Sequence, residues 1–430
     1  MLLVSGLSKK ISLFFRKLLY SVKINHYFYV FTMMKYYILR HSKHYLTATR
    51  LFIFYLLLGG LLLGSVPLLA QSSYQAIIDA GSSGTRIYLY EVTAKPQEKL
   101  PHLQSIFEYK LTPGLSDLIN TPDQAKQQVK VLLDLARCSL AKTSNATKVP
   151  VHLLATAGLR LKNQQKVQQM FDAIQQHVAQ DTHFDFKKAM VLSGRYEGLY
   201  AWLATNYLSN RFANPKEQFA LIEMGGASLQ VAYALRKPAP KLDKQHLVRR
   251  KINRQNYTIY SRSYLGLGQN IAYDSLRSCQ ACFVPGPGAN NYEKCLKEVQ
   301  NALKKSYQLE GPHLLRRQDQ LMVVSSFYYT FKSIDLLGKN GYTTFGEFIR
   351  KGKQVHAQGR DAFVKGGNHY LKNHYLNLVY MPYLLQRFFQ LKPTKRLTAY
   401  LNRDGKKLTP DWTLGAVLDI YLGNAPEKYK

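Results

Sequence analysis

Cysteine is scarce in this chain of 430 residues, and its scarcity limits the chemistry that the chain can perform. Three of the four cysteines, Cys279, Cys282 and Cys295, lie within 17 residues, and no histidine lies among them. A structural zinc site needs four ligands, so this cluster is one ligand short. In an exported chain we expect one local disulfide instead, joining Cys295 to either Cys279 or Cys282.

Acidic residues are also few, because 26 Asp and Glu face 59 Lys and Arg, and the formal net charge is +33. A charge of this sign suits nucleic acid as a partner. However, the chain has no run of five or more Lys or Arg and no nucleic-acid-binding motif. We therefore expect the charge to attract anionic small molecules or to hold the protein on an anionic envelope surface, and we expect no nucleic-acid partner.

No uninterrupted apolar run reaches the roughly 20 residues of a membrane-spanning helix. The apolar stretch at 51–64 follows several basic residues and precedes a small residue at position 70 that suits cleavage. We interpret residues 1–70 as an N-terminal extension and signal peptide, with Met33 or Met34 as a candidate start. The mature chain, of net charge near +24, is then secreted or periplasmic. The alternative is an uncleaved anchor at 51–64, the one case in which we expect a membrane contact.

Two stretches of similar pattern, 76–90 and 220–234, lie 144 residues apart. Each is an apolar run that ends in a carboxylate, Asp79 or Glu223, followed by a loop of small residues and a returning alternating run. This pattern predicts a strand, a tight loop and a second strand. Two copies indicate two related lobes that present their loops to a shared cleft.

Helical and strand patterns alternate along the rest of the chain, which predicts an α/β fold. The predicted helices begin at Pro122 or cover about 163–180, 196–208, 292–307, 328–337, 343–355, 376–391 and 411–422. We assign 71–193 plus 403–430 to lobe I and 194–402 to lobe II.

The two loops have the composition of phosphate-binding turns, since glycine lets the backbone approach and successive amides form an anion site. The candidate phosphate-binding residues are Gly81, Ser82, Ser83, Gly84 and Thr85 in the first loop, and Gly225, Gly226, Ala227 and Ser228 in the second. Asp79 and Glu223 would repel phosphates unless a cation lay between them, and their oxygens suit Mg²⁺ or Ca²⁺ held through water. The alternative is two ordinary hairpins with an acidic residue at the turn.

The motifs also resemble those of a known family, the nucleoside triphosphate diphosphohydrolases (apyrases, nucleoside phosphatases). Residues 79–85 (DAGSSGT) resemble the first conserved region of that family. The second to fourth regions are similar to 154–160, 194–208 and 223–230, and further matches lie at 263–269, 326–330 and 412–415. The matches occur in family order over about 71–422. The resemblance implies two ribonuclease-H-like lobes of the actin/hexokinase superfamily, with the active site in the cleft.

The resemblance also implies a role for individual residues. Glu197 matches the general base that takes a proton from the attacking water. Ser228 and Gln230 match positions that hold that water, Thr156 lies near the base, and Arg160 supports the site. Tyr328 and Tyr329 match the region that stacks the nucleotide base.

Two positions depart from the family pattern. Glu223 stands where the family usually has Asp, and one extra methylene moves the carboxylate by about 1.5 Å, within the reach of water-mediated cation binding. Gly84 stands where some members have a bulkier residue. We expect an exported apyrase that hydrolyses nucleoside tri- and diphosphates with Mg²⁺ or Ca²⁺ and needs no obligate protein partner. The alternatives are a polyphosphate-type exophosphatase of the same fold and a non-catalytic binder of nucleotides or polyanions.

Overall fold

The computed structural model describes residues 71–94, 98–140, 148–214, 217–236, 242–306, 315, 320–365 and 371–429. The predictions for residues 1–70, namely the signal peptide, the start at Met33 or Met34 and the anchor at 51–64, lie outside the described residues. Within them, no helix has the length and apolarity needed to cross a membrane.

The described part of the chain alternates between strands and helices. In chain order the strands are β1 (Gln71–Gly81), β2 (Gly84–Ala94), β3 (His102–Leu111), β4 (Val149–Ala155), β5 (Phe184–Val191), β6 (Ala220–Met224), β7 (Ser228–Ala234), β8 (Leu247–Ile252), β9 (Gln255–Leu265), β10 (Leu321–Ser325), β11 (Tyr342–Thr344), β12 (Arg396–Thr398), β13 (Leu401–Arg403) and β14 (Lys406–Leu408). The helices are α1 (Pro122–Leu140), α2 (Ala157–Arg160), α3 (Gln164–Val178), α4 (Gly194–Leu208), α5 (Gln269–Ser275), α6 (Asn291–Ser306), α7 (Ser326–Ser333), α8 (Phe345–Gln358), α9 (Arg360–Phe363), α10 (Leu371–Arg387) and α11 (Trp412–Tyr421).

The first sheet has five strands in the order β3-β2-β1-β4-β5. Strands β1, β2 and β3 form an antiparallel meander, whereas β4 and β5 run parallel to β1. Successive side chains of a strand point to opposite faces of its sheet. In β1, Ala76 and Ile78 accordingly pack with residues of α1 and α3, while Ile77 packs on the other side with residues of α4 and α11.

The second sheet repeats this arrangement. Its order is β11-β12-β10-β6-β7-β9-β8, in which β6, β7 and β9 form the antiparallel meander and β10 and β12 follow β6 in parallel. Strands β8 and β11 are added antiparallel at the two edges. The two similar stretches of sequence are therefore the first hairpins, β1–β2 and β6–β7, of two sheets with one topology.

Helices α4 and α11 lie in the core between the two sheets. The central core combines residues of β1 and β2 with residues of β6, β7 and β10 and with both helices. The helices approach closely at Gly415, where a Cβ atom would lie 1.8 Å from the carbonyl oxygen of Tyr200. The ring of Trp412 stacks on that of Tyr200, with 6.4 Å between the ring centroids. This helix pair therefore packs against both sheets and joins them.

The structure resolves one choice that the sequence left open, because Cys282 is bonded to Cys295. Cys279 is a buried free thiol and Cys138 an exposed one. The predicted lobe boundary at 402/403 lies inside the β13–β14 hairpin, where Asn402 pairs with Lys407. The lobe boundaries remain predictions.

Candidate active site

The first loop is the two-residue turn of Ser82 and Ser83 between β1 and β2. Gly84 has a φ of +148°, and a Cβ atom there would lie 2.8 Å from the carbonyl oxygen of Leu111 and close to the side chain of Lys110, so the backbone conformation and the space both favour glycine. The Thr85 side chain points away from the loop, since its hydroxyl donates to Oε1 of Gln128 (2.8 Å) and accepts from the amide of Leu115 (3.2 Å). Any contact of Thr85 with phosphate would therefore come from its backbone.

The second loop, 225–227, is supported from behind by the start of α5. The amides of Gln269 and Asn270 each donate to loop carbonyls, those of Gly225 and Gly226, at 2.9 Å. Gly268 is so close that a Cβ atom on it would lie 2.3 Å from the amide nitrogen of Ala227. The loop is thereby fixed in position without the use of its own side chains.

The two loops face each other. A Cβ atom on Gly226 would lie 2.5 Å from Oγ of Ser82. On the first lobe's side, a Cβ atom on Gly158 in α2 would lie 3.0 Å from the Cα atom of Ser82. The structure thus brings the predicted phosphate-binding residues of both loops to one place, the junction of the two lobes.

Asp79 and Glu223 lie near the ends of β1 and β6, beside these loops, and both are buried. Burial raises the pKa of Asp79 from 3.8 to about 8, although Arg86, whose Nη1 lies 3.7 Å from Oδ2, opposes the shift. Burial and the charge of Glu197 likewise raise the pKa of Glu223 from 4.5 to about 8. The Oγ of Ser325 donates to Oε1 of Glu223 at 2.8 Å.

One oxygen of each carboxylate, Oδ1 of Asp79 and Oε2 of Glu223, is buried without a hydrogen-bond partner. Two such oxygens beside phosphate-sized loops fit a divalent cation, since an unpartnered buried carboxylate is costly. In the part of the chain that the structure describes, no group of three or more His, Cys, Asp or Glu side chains could hold a metal ion directly. The donor set therefore fits a cation that keeps most of its water.

Glu197 lies in the first turn of α4, where the helix dipole favours a carboxylate. Its Oε2 accepts a hydrogen bond from Nη2 of Arg160, and both side chains are buried. Arg160 is held in turn by Leu192, whose carbonyl accepts from Nε at 2.9 Å, and by Oγ of Ser263 at 3.4 Å from Nη1. Thr156 precedes α2, the short helix that carries Arg160, and is buried beside β1.

Ser228 and Gln230 lie on β7, which packs against α4, the helix that carries Glu197. Nε2 of Gln230 donates to Oγ of Ser228 and, at 3.3 Å, to Oγ of Ser263, while its Oε1 is buried without a partner. Ser263 therefore connects Gln230 to Arg160. Gly198 brings α4 close to this strand, since a Cβ atom there would lie 3.3 Å from Cβ of Gln230. The predicted base and the two predicted water-holding residues are thus connected through Arg160 and Ser263.

The two candidate base-stacking tyrosines differ in environment. Tyr329 is 59% exposed, whereas Tyr328 is partly buried, and their ring centroids lie 5.1 Å apart. The ammonium of Lys407 lies over the ring of Tyr328, 3.8 Å from its centroid. Tyr329 is therefore the more open of the two rings.

Several neighbours of the site were not predicted from the sequence: Arg86, Lys110, Ser263, Ser325 and Asp411. Arg86 could have been found, because a two-residue turn after Gly81 places it directly opposite Asp79. Asp411 caps α11, accepts from the hydroxyl of Tyr88 at 2.9 Å and contributes to the raised pKa of Asp79. It reaches the site from the far end of the chain, and no local pattern marks it.

Residues 66–281 match the GDA1/CD39 (nucleoside phosphatase) family. The chain belongs to this family. It is 26% identical over 411 residues to a probable apyrase of Arabidopsis thaliana, covering 82% of this chain and 83% of that protein. It is 30% identical over 270 residues to a nucleoside-triphosphatase of Pisum sativum, covering 55% of this chain and 59% of that protein. It is 31% identical over 208 residues to the nucleoside diphosphate phosphatase ENTPD5 of Homo sapiens, covering 47% and 48%.

Solved structures share the fold at low sequence identity. A nucleoside triphosphate hydrolase of Neospora caninum aligns with a TM-score of 0.63 at 15% identity, over 87% of this chain and 97% of that one. A Ppx/GppA family member of Aquifex aeolicus aligns with a TM-score of 0.53 at 14% identity, over 82% and 99%. The predicted family, the two-lobed α/β fold and the enzyme class, a nucleoside phosphatase, are confirmed.

Proposed function

We propose that this member of the nucleoside phosphatase family is a cation-dependent apyrase. It removes terminal phosphates, one at a time, from nucleoside tri- and diphosphates by direct attack of water. The observation that carries this proposal is the chain of hydrogen bonds that connects Glu197 through Arg160 and Ser263 to Gln230 and Ser228, next to the point where the two small-residue loops meet.

The phosphates bind where the loops face each other. Backbone amides of 81–85 and 225–228 supply donors, as in other concave anion sites. Arg86 and Lys110 lie beside the first loop and add positive charge. The unpartnered oxygens of Asp79 and Glu223 would hold Mg²⁺ or Ca²⁺ through water. The bound cation supplies the positive charge that allows phosphates to approach these carboxylates.

Proton transfer is assigned to Glu197. Ser228 and Gln230 orient a water behind the terminal phosphorus, with the free Oε1 of Gln230 as a hydrogen-bond acceptor. Glu197 takes a proton as the water oxygen bonds to phosphorus, and the bond from phosphorus to the bridging oxygen breaks. Arg160 fixes the orientation of the Glu197 carboxylate through the bonds it also makes to Leu192 and Ser263.

The proposal also covers the nucleotide base. The exposed ring of Tyr329 accepts the base by stacking, whereas a polyphosphate chain has no base to stack there.

The proposal also covers export. The chain is exported through the signal peptide of residues 1–70. Intact mass of the protein recovered outside the producing cell's inner membrane should correspond to cleavage after Ala70, and a retained leader would contradict this.

The decisive experiment compares phosphate release by the wild type, Glu197→Gln and Glu217→Gln. Glu217 is an exposed glutamate paired with Arg211, so its variant is a matched control. With millimolar Mg²⁺ or Ca²⁺ we expect Glu197→Gln to lose about 10²- to 10⁴-fold in kcat while still binding nucleotide, and Glu217→Gln to stay near wild type. Near-full activity of Glu197→Gln would refute the mechanism. Release from polyphosphate alone, or binding without release by the wild type, would refute the apyrase assignment.

A further inference from the structure

Helix α10 carries three polar side chains along one face, although most of its other buried residues are apolar. Asn373, Asn377 and Tyr380 are four and three residues apart, a spacing that places them next to one another along a helix. Asn377 is almost completely buried, and its chain neighbours Leu376 and Leu378 belong to the apolar core of the second sheet. A buried amide is costly in such surroundings unless it is hydrogen-bonded. The partners of these side chains therefore show what the polar face contacts.

The polar face of α10 holds the segment that supports the second loop. Nδ2 of Asn373 donates to Oδ1 of Asn270 at 2.9 Å, and Nδ2 of Asn377 donates to Oε1 of Gln269 at 3.1 Å. The hydroxyl of Tyr380 donates at 3.0 Å to the backbone carbonyl two residues before Gln269. Gln269 and Asn270 are the two residues whose backbone amides hold the second loop from behind. Side chains of α10 thus fix the support of a loop that we assign to phosphate binding.

Asn377 also contacts α7, the helix that carries the two candidate base-stacking tyrosines. Its Nδ2 donates to Oγ1 of Thr330 at 3.1 Å as well as to Gln269, since an amide nitrogen has two hydrogens to donate. Thr330 is completely buried and directly follows Tyr329, the more open of the two rings. One atom of Asn377 therefore joins the support of the phosphate loop to the helix of the stacking ring.

We propose that Asn377 is a positioning residue that couples the second phosphate loop to α7, so that stacking of a base on Tyr329 makes phosphate release faster. The inference rests on the proposed function, because it requires a substrate with both a base and phosphates. Residues that share one hydrogen-bond network contribute non-additively. A stacked base holds α7, and α7 holds the loop through Thr330, Asn377 and Gln269. Without this link, a base could still stack on Tyr329, but stacking would no longer order the loop.

The test is a double-mutant cycle between Tyr329→Ala and a variant that breaks the link. Thr330→Val breaks it at one point, because valine has nearly the shape of threonine but cannot accept the bond from Asn377, whose bond to Gln269 is kept. Asn377→Leu removes both bonds at similar side-chain volume. Asn291→Leu is the matched control, since Asn291 at the start of α6 is also buried and its Nδ2 donates at 3.2 Å to two backbone carbonyls outside α5 and α7.

The measured quantity is kcat/KM for ADP, GDP and UDP with millimolar Mg²⁺ or Ca²⁺. In the wild type we expect Tyr329→Ala to lower kcat/KM by about tenfold, the effect of one lost stacking contact. Thr330→Val alone should lower it by about threefold, and in that background or in Asn377→Leu the further loss from Tyr329→Ala should be less than about threefold. In Asn291→Leu the loss from Tyr329→Ala should again be about tenfold. Tripolyphosphate, which has no base, should inhibit the wild type and Thr330→Val with the same inhibition constant.

Equal losses from Tyr329→Ala in the wild type, Thr330→Val and Asn377→Leu would show that loop and helix act independently. The inference would then be wrong, while the apyrase proposal would stand. A reduced loss in Asn291→Leu would also overturn the inference, because general loosening of the fold would then explain the effect. Thr330→Val decides the question alone if Asn377→Leu does not fold. Release of phosphate from no nucleotide by the wild type would instead refute the apyrase proposal itself.

Discussion

At the scale of single residues, the site contains two carboxyl groups whose pKa values are raised by burial. Asp79 and Glu223 are on different sheets, and each has one oxygen without a partner. Ser325 and Arg86 satisfy the other oxygens only in part. The protein groups alone therefore leave the two carboxylates incompletely hydrogen-bonded, and a bound cation would stabilise their ionised forms.

These two carboxylates predict how stability depends on pH. Their pKa values are about 8 in the folded chain, against 3.8 and 4.5 as reference values. Between about pH 4 and pH 8 the folded protein therefore retains protons that the unfolded chain has lost, and the free energy of unfolding falls as pH rises through this window. A cation that binds the ionised pair opposes this loss.

The measurement is the thermal midpoint from pH 5 to pH 8, in EDTA and in Mg²⁺. We expect the midpoint in EDTA to fall with pH by more in the wild type than in the double variant Asp79→Asn/Glu223→Gln. Mg²⁺ should raise the thermal midpoint of the wild type most at pH 8 and leave the midpoint of the double variant unchanged. If Mg²⁺ raised the thermal midpoint equally in both proteins, the cation would bind at a site other than Asp79 and Glu223.

At the scale of elements, helix α4 positions the proposed base by close contact with β9. A Cβ atom on Gly194 would lie 2.4 Å from Cβ of Ser263 and 2.9 Å from Nη1 of Arg160. Because Ala is a better helix former than Gly, Gly194→Ala should not weaken the helix itself. It should instead push the start of α4, and Glu197 with it, away from Gln230.

We expect Gly194→Ala to lower kcat by about 10²-fold, since a misplacement of about 1 Å can have that effect. The KM should change little, because the phosphate loops are untouched. Gly286→Ala is the control, as a Cβ atom on Gly286 meets nothing within 4 Å. Circular dichroism should be unchanged in both variants. Wild-type kcat in Gly194→Ala would show that this contact does not position the base.

The elements that carry the site residues determine which of these residues the sequence could predict. The hairpins β1–β2 and β6–β7 follow from alternation and from glycine-rich turns, so Asp79, Glu223 and both loops were predicted together. Apart from Arg86, which lies in the first hairpin itself, their neighbours come from elements whose register no local pattern sets. Lys110 reaches the first loop from β3, across a connection of several residues after β2, and Lys407 reaches Tyr328 from a hairpin 79 residues away. Such contacts depend on packing between distant segments.

At the scale of the whole molecule, two sheets of one topology share a central core, and a buried ion pair joins an edge of the second sheet to α11. Nε and Nη2 of Arg250 on β8 lie 2.7 Å and 3.0 Å from the two carboxylate oxygens of Asp419. The Asp419 side chain is fully buried, and burial raises its pKa although Arg250 opposes this. Removal of Arg250 would leave a buried carboxylate with Asn424 as its remaining side-chain partner.

Arg250→Met should therefore lower the free energy of unfolding by about 3–5 kcal/mol, whereas Arg250→Met combined with Asp419→Leu should recover much of this, because the buried charge is then gone. Urea unfolding of the chain measures both. Arg350→Met breaks the exposed pair with Glu347 and should lose less than about 1 kcal/mol. If the double variant were no more stable than Arg250→Met, the lower free energy of unfolding would come from lost packing around α11 and not from the unpaired charge. The contact between β8 and α11 would then depend on packing and not on the ion pair.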